Sequence, residues 1–342
     1  VLLRSAPKRF QELRRDLSAS TSHNQTYILP ISARNFKALS TLAQRYADYL
    51  KQDFTAENNT LDDVIFSAAM RRRHHEHRLA VVGQSRQELH DQLLAFAKGD
   101  QLPWTAYGEA RNQSGPVFVF SGQGAQWHAM GRQLYEKEPV FRQTIERCHA
   151  ALEDFKDWSL MDEFLAGPEH SRIEQTSVAQ PLITAVQLGL AAMWEHWGIS
   201  PKATVGHSVG EVAASCVAGV FNLETAMRVI YHRGASMSYA SGKGGMLAVG
   251  LSIEDYHATI LPAKESVDIA AINSPTSITL SGDLSELKTI ASHLDGQGLW
   301  NTFVPVNCAF HSAHMDEVRQ PLMAALERLR PQRAKVQIYS TV

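Results

Sequence analysis

An α/β fold in several parts is predicted for this chain of 342 residues, and three observations predict it. Short β-type runs alternate with helix-period runs along most of the chain. At residues 202–220 a strand turns straight into a helix through Gly206-His207-Ser208-Val209-Gly210. Between Met246 and Val306 the order is strand, helix, strand, strand, helix, strand, and βαββαβ is the ferredoxin-like arrangement. The length leaves room for two or three domains, each with a core of its own.

In chain order, residues 1–26 mix charge with Ser, Thr and Asn and are expected to form a tail or linker, with one short helix at Lys8–Leu17. A small α/β unit is expected over 27–112. Its strands fall at Thr26–Ile31 and His77–Val82, and its helices at Asn35–Lys51, Leu61–Met70 and Ser85–Ala97. The first helix has Phe36, Leu39, Leu42, Ala43, Tyr46 and Leu50 at helical spacing. This unit has no nucleophile, metal-ligand set or Gly-rich loop. The run Arg71-Arg72-Arg73-His74-His75-Glu76-His77 reads as a solvated charged turn. A metal site is disfavoured there because adjacent histidines face different ways, and a phosphate or RNA patch is the alternative.

A larger domain opens with the buried strand Val117–Phe120 and the turn Ser121-Gly122-Gln123-Gly124-Ala125-Gln126, before a helix expected at Trp127–Tyr135. The turn lacks the Lys-Ser/Thr of a P-loop and the third Gly of a dinucleotide fingerprint. It is either a plain tight turn or one that aims the Gln123 amide at the carboxyl edge of the sheet, where α/β folds place ligands. Helices follow at Val140–Leu152, Ser159–Leu165 and Ser177–Trp197. Then come the 202–220 elbow, with a helix from Glu211 to Val220, and a helix at Leu223–Tyr239. The flexible joint Ser241-Gly242-Lys243-Gly244-Gly245 leads into the small subdomain, 243–305. Its strands are Met246–Gly250, Val267–Ile272, Ser277–Ser281 and Thr302–Val306, and its helices Ile253–Leu261 and Leu284–Leu294. The large subdomain, 115–242, resumes at 306–342 with Cys308-Ala309-Phe310-His311-Ser312, a helix to Leu329 and a last strand. A small domain inserted into a large one creates a cleft, a usual ligand site.

Gly-x-Ser-x-Gly between strand and helix is the α/β-hydrolase-like elbow: small residues flank a serine whose hydroxyl stands at a helix N-terminus. A serine N-cap between two glycines is the plainer reading. For a base, His311 is the best candidate, on a strand-to-helix loop, with His207, His232 and His314 as competitors. Arg233, in a mostly apolar helix, is surface-exposed, snorkelling or aimed at an anion.

With 33 basic and 35 acidic residues the formal net charge is −2, which argues against a nucleic-acid or membrane-surface role. Cys148, Cys216 and Cys308 have neither paired nor metal-ligand spacing and fit a reducing, cytoplasmic setting. No apolar run is expected to span a membrane, and no signal peptide is expected. Val1-Leu2-Leu3 reads as the end of a strand and Ile338–Val342 as a strand cut in mid-run, so the chain is expected to be a piece of a larger polypeptide, truncated at its C-terminus.

Four segments occur together in one order: Gly122-Gln123-Gly124-Ala125-Gln126, Gly206-His207-Ser208-Val209-Gly210-Glu211, Tyr231-His232-Arg233-Gly234 and Ala309-Phe310-His311-Ser312. In order and spacing the chain resembles the acyltransferase domains of type I polyketide synthases, relatives of malonyl-CoA:acyl-carrier-protein transacylases. The resemblance covers about 115–342; residues 27–112 resemble the linker between ketosynthase and acyltransferase, and 1–7 the tail of the ketosynthase. It implies Ser208 as nucleophile and His311 as base, an oxyanion hole of Gln123 and the Val209 N–H, and Arg233 on the free carboxylate of a malonyl group. Gln180, Asn273, His207 and Phe310 would line the pocket. Cys308-Ala309-Phe310-His311 resembles the malonyl-type His-Ala-Phe-His, with Cys308 the departure, and Val209 also suits that type. The resemblance implies no tightly bound cofactor and no metal, with malonyl-CoA as donor and the phosphopantetheine of an acyl carrier protein as acceptor. It implies an adjacent ketosynthase, a homodimeric parent and a monomeric excised fragment. The rivals are a methylmalonyl-selective member, a fatty-acid-synthesis transacylase, a serine thioesterase or esterase, and a non-catalytic docking module.

Overall fold

Alternating side chains build the first sheet. The computed structural model describes residues 26–52, 60–100, 102–110, 115–155, 157–240, 242–259, 266–306 and 308–341. The expected tail over 1–26 and its helix at Lys8–Leu17 thus lie outside the described residues, apart from Thr26. Two compact units divide the chain, Val1–Gln113 and Ser114–Val342.

The first unit contains β1 (Tyr27–Ala33), α1 (Phe36–Leu50), α2 (Leu61–Met70), β2 (His77–Gly83), α3 (Arg86–Lys98) and β3 (Thr105–Glu109). The strands form an antiparallel sheet in the order β1-β2-β3. Leu29 and Ile31 of β1 and Leu79 and Val81 of β2 point into the core, where they meet Leu39, Leu89 and Leu93 from the helices. Burying each such leucine contributes about 1.5–3 kcal/mol. The helices begin where side chains cap them: Asn35 accepts from Ala38 N–H at 2.8 Å, Thr60 and Asp63 form a capping box, and Ser85 accepts from Glu88 N–H. β3 was not expected. Its residues are mostly exposed, so no alternation announces it, and it forms because β2 offers a free edge, pairing Leu79 with Tyr107.

The second unit opens with β4 (Val117–Phe120), α4 (Arg132–Lys137), α5 (Pro139–Ala150), α6 (Leu160–Leu165), α7 (Thr176–His196), β5 (Ala203–Gly206), α8 (Gly210–Val217) and α9 (Leu223–Ser238). Residues 128–131 form turns rather than the expected helix, because Ala129 and Gly131 take positive φ (66° and 82°). The core beside β4 is built from Phe141, Ile145, Met227 and Ile230, all at 0 % exposure, with the apolar face of α7. By length and composition α7 could cross a membrane, contrary to expectation, but most of it is buried inside this unit, as in a core helix.

Next come β6 (Gly245–Val249), α10 (Ile253–Thr259), β7 (Val267–Ser274), β8 (Ser277–Gly282), α11 (Leu284–Gly296) and β9 (Asn301–Phe303). Their four strands form one antiparallel sheet in the order β7-β8-β6-β9. The first strand of the βαββαβ series therefore lies between the third and the fourth. β9 stops at Phe303, short of the expected Val306, since Pro305 has no N–H for a ladder. A 3₁₀ turn (Ala313–Met315), α12 (Asp316–Leu326) and β10 (Gln337–Tyr339) return the chain to the first part of the unit. There β10 and β4 flank β5 in a parallel sheet.

Candidate active site

The site begins at the carboxyl end of β5. Ser208 has φ 50°, a left-handed conformation that costs a side-chain-bearing residue of order 1–3 kcal/mol. Its neighbours enforce it. A Cβ on Gly206 would lie 2.4 Å from the Glu211 nitrogen, and one on Gly210 2.3 Å from the Phe120 oxygen. Only glycine lets strand, turn and helix approach this closely. His207 N–H donates to the Phe120 carbonyl at 2.9 Å, tying the elbow to β4 and hence to the 121–126 turn.

Three distances define the centre. Ser208 Oγ and His311 Nε2 are 2.9 Å apart. Arg233 Nη2 donates to Ser208 Oγ at 3.0 Å, and Arg233 Nη1 to Gln180 Oε1 at 2.7 Å. The network runs on, with Gln180 Nε2 donating to Gln123 Oε1 at 3.3 Å and Gln123 Nε2 to Thr176 Oγ1 at 3.4 Å. The Gln123 side-chain amide is therefore turned toward α7. Val209, 0 % exposed, stands at the start of α8. Among the described residues the backbone N–H groups of Gln123 and Val209 have no turn or loop backbone acceptor.

Gln123, Gln180, His207, Ser208, Arg233, Phe310 and His311 line one cavity of about 120 Å³. Asn273 stands outside the lining, exposed on β7, and reaches it through a 2.9 Å bond to Thr279 Oγ1. Among the competing histidines, His232 packs edge-on against Phe155 and His314 lies 3.5 Å from Asp283. Cys308, 0 % exposed, packs behind Phe310 with Ala240 and Val318 rather than lining the cavity. Sequence reasoning missed Met237, Met246, Ala271, Thr279, Val304 and Val306, which complete the wall. Met237 was findable, one helical turn after Arg233 on the same face; the others come from the four-stranded sheet and the segment after it. A larger hollow of about 640 Å³ in the first unit has arginines, histidines and tyrosines in its lining; there Ser32 Oγ accepts from the His75 backbone N–H, and among the described residues no serine hydroxyl in it is hydrogen-bonded to an imidazole.

The charges suit a base. Burial, then Arg233 and His207, hold His311 below the ordinary histidine value of 6.5, with Glu211 opposing them, so its imidazole is neutral at pH 7 and free to accept a proton. Burial pushes Arg233 down to about 10, which still leaves it charged. Glu211 Oε1 accepts from Thr341 N–H, Thr341 Oγ and Ser340 Oγ, tying the chain beyond β10 to the elbow. Burial raises the Cys308 thiol to about 11, so it is a packing group rather than a nucleophile.

Residues 117–342 match the family described as acyl transferase domain, and residues 27–93 the family described as CurL-like, PKS C-terminal. Polyketide synthase GfsB of Streptomyces halstedii is 36% identical over 315 residues, 92% of this chain and 6% of its own. The hybrid PKS-NRPS synthetase pyvA of Aspergillus violaceofuscus is 38% identical over 317 residues, 89% of this chain and 8% of its own. The chain thus spans less than a tenth of the length of either relative. Among solved structures, the acyltransferase domain from module 8 of the salinomycin polyketide synthase superposes with TM-score 0.84 at 30% identity, covering 93% of this chain and 74% of that one. The acyl transferase domain of SpnD, in complex with 2-(pent-4-yn-1-yl)malonyl, gives TM-score 0.79 at 26% identity, covering 92% and 72%. The chain belongs to the acyltransferase domain family of type I polyketide synthases, with the linker segment of those enzymes before that domain.

Proposed function

We propose that this chain loads a malonyl extender unit from malonyl-CoA onto the phosphopantetheine thiol of an acyl carrier protein. The observation that carries the reading is the triangle of Ser208, His311 and Arg233: one hydroxyl lies within hydrogen-bond reach of both a neutral imidazole and a partly buried guanidinium. A hydrolase for neutral esters has no use for the second, whereas a malonyl ester carries a carboxylate two bonds from its carbonyl.

In this mechanism Ser208 Oγ attacks the thioester carbon and its proton passes to His311 Nε2. The tetrahedral oxyanion is held by the backbone N–H groups of Gln123 and Val209. The C–S bond breaks, the CoA thiolate takes the proton from His311, and a malonyl-O-serine ester remains. The carrier's thiol then gives its proton to His311 and attacks the ester; the Ser208 alkoxide leaves and recovers that proton. Arg233 holds the malonyl carboxylate by charge-assisted bonds, itself steadied by Gln180. This clamp keeps the ester oriented for the thiol rather than for water.

Phe310 and the buried Cys308 behind it narrow the wall, which supports malonyl over methylmalonyl. One methyl in such a wall discriminates by about 1–3 kcal/mol. A second reading, an extender bearing a larger α-substituent, has the SpnD complex in its favour. We read 27–112 as the linker to a ketosynthase, 115–242 with 306–342 as an α/β-hydrolase-like large subdomain, and 243–305 as a ferredoxin-like small one, supported by the strand orders. The partners are then a ketosynthase in the same homodimeric, cytoplasmic synthase and its carrier protein. Intact mass after incubation with malonyl-CoA and methylmalonyl-CoA side by side tests the reading: a malonyl adduct forms preferentially and is absent from Ser208→Ala. An adduct persisting in that variant refutes the mechanism, and equal methylmalonyl labelling refutes the selectivity.

A further inference from the structure

His311, like Ser208, has left-handed backbone, with φ 59°, and such a residue stays there only if its surroundings over-determine it. Before it, Cys308 and Ala309 are at 0 % exposure and Phe310 at 8 %. After it, Ser312 Oγ donates to the Ala309 carbonyl at 2.7 Å, closing the turn. The next N–H, that of Ala313, donates to Asp268 Oδ2 at 2.9 Å, and His314 Nε2 lies 3.5 Å from Asp283 Oδ1. Both carboxylates come from the four-stranded sheet: Asp268 is on β7 and Asp283 follows β8. A β-bulge between Ile269 and Ala271 shifts the alternation of β7. Asp268, which reaches the His311 turn, and Ala271, which lines the cavity, therefore serve the same cleft.

We propose that Asp268 is a positioning residue for acyl transfer: its carboxylate holds the Ala313 N–H and thereby sets where His311 Nε2 meets Ser208 Oγ. The small sheet is then part of the base's mounting as well as a wall of the pocket. The inference rests on reading His311 as the base.

The test is single-turnover malonyl loading by the whole chain, followed by intact mass across a range of malonyl-CoA concentrations. Asp268→Ala lowers the maximal loading rate by about tenfold to a hundredfold, the scale expected when a catalytic group is displaced by about an ångström. The half-saturating concentration changes little, because Ser208 and Arg233 are untouched. Asp268→Asn, whose amide oxygen still accepts the N–H, keeps most of the rate. Ala313→Pro deletes the donor alone; Ser312 is already extended (φ −131°, ψ 174°) and proline suits the first position of a helical turn. The double variant loses no more than either single one. A rate within about twofold of the parent for Asp268→Ala, or losses that simply add, overturns the inference. If Asp268→Ala does not fold, Ala313→Pro decides by the same criterion. His311→Ala separates the two readings: parental loading in that variant sinks the base assignment and Asp268 with it, whereas lost loading there beside an unaffected Asp268→Ala sinks the inference alone.

Discussion

Two turns carry Ser208 and His311, and both are left-handed, with φ of 50° and 59°, yet they are held in different ways. The Ser208 turn is held by backbone. Gly206 and Gly210 admit main-chain atoms at distances no Cβ tolerates, and His207, Gly210 and Glu211 N–H groups all find carbonyls in the elbow or in β4. The His311 turn is held largely by side chains from elsewhere: Asp268 on another sheet, and the packing of Cys308 and Phe310 against Ala240 and Val318. A nucleophile's strained turn can thus be written into five consecutive residues. The base's position is written into the packing of two sheets.

The backbone grip on the Ser208 turn is most vulnerable at Gly210. Gly210→Ala places a Cβ against the Phe120 carbonyl and should cost more than about 3 kcal/mol, lowering the melting temperature by roughly 6–12 °C. Asp268→Ala should leave the melt nearly unchanged while slowing transfer. Calorimetry of both variants checks this, and the reverse ranking would remove the distinction.

Arg233 bonds to Ser208 Oγ and acts on His311 through its charge, so Arg233→Ala affects the two turns differently. On the Ser208 side, competition between acetyl-CoA and malonyl-CoA should shift toward acetyl by roughly tenfold to a hundredfold, the worth of hydrogen bonds to a charged group. Unchanged malonyl preference in mass-resolved labelling would rule out the clamp. On the His311 side, Arg233 lowers the imidazole pKa. Its loss raises that pKa, so the acidic fall in loading rate begins at higher pH. The smallest effect is expected from Glu211→Gln. Glu211 raises the His311 pKa; neutralising it lets that pKa fall further, and the acid limb moves to lower pH. A pH–rate profile that moves the other way would show that Glu211 acts through its bonds to Ser340 and Thr341 instead.

Much of this was legible in the chain before folding. The helices of the first unit fall within a residue or two of their expected bounds, because Asn35, Thr60 and Ser85 cap them and the apolar spacing sets their inner faces. The βαββαβ series was legible chiefly from its apolar spacing, since Asp283 makes no side-chain cap bond at the start of α11. What was misread lacked a local signature. Trp127–Met130 has helical spacing, but Gly131 in positive φ starts the helix later. β3 pairs through its backbone while exposing its side chains. Gln123 is plain in its Gly-rich turn, yet the direction of its amide depends on Thr176 and Gln180 across the fold.

By itself the sequence determined the strand-to-helix elbow around Ser208, since Gly206 makes room for Gly210 and Glu211 a few residues on, although the need for Gly210 comes from Phe120 on β4. It also determined most of the element order and the polar residues of the cleft, but not its apolar wall. Only the tertiary structure decided which of four histidines meets Ser208, that Arg233 turns inward to reach the same oxygen, and that Asp268 reaches the His311 turn. Hydrogen bonds and charges act over a few ångströms of space, and these partners are separated by 25 to 103 positions of chain. The packing of the two sheets brings them within that range.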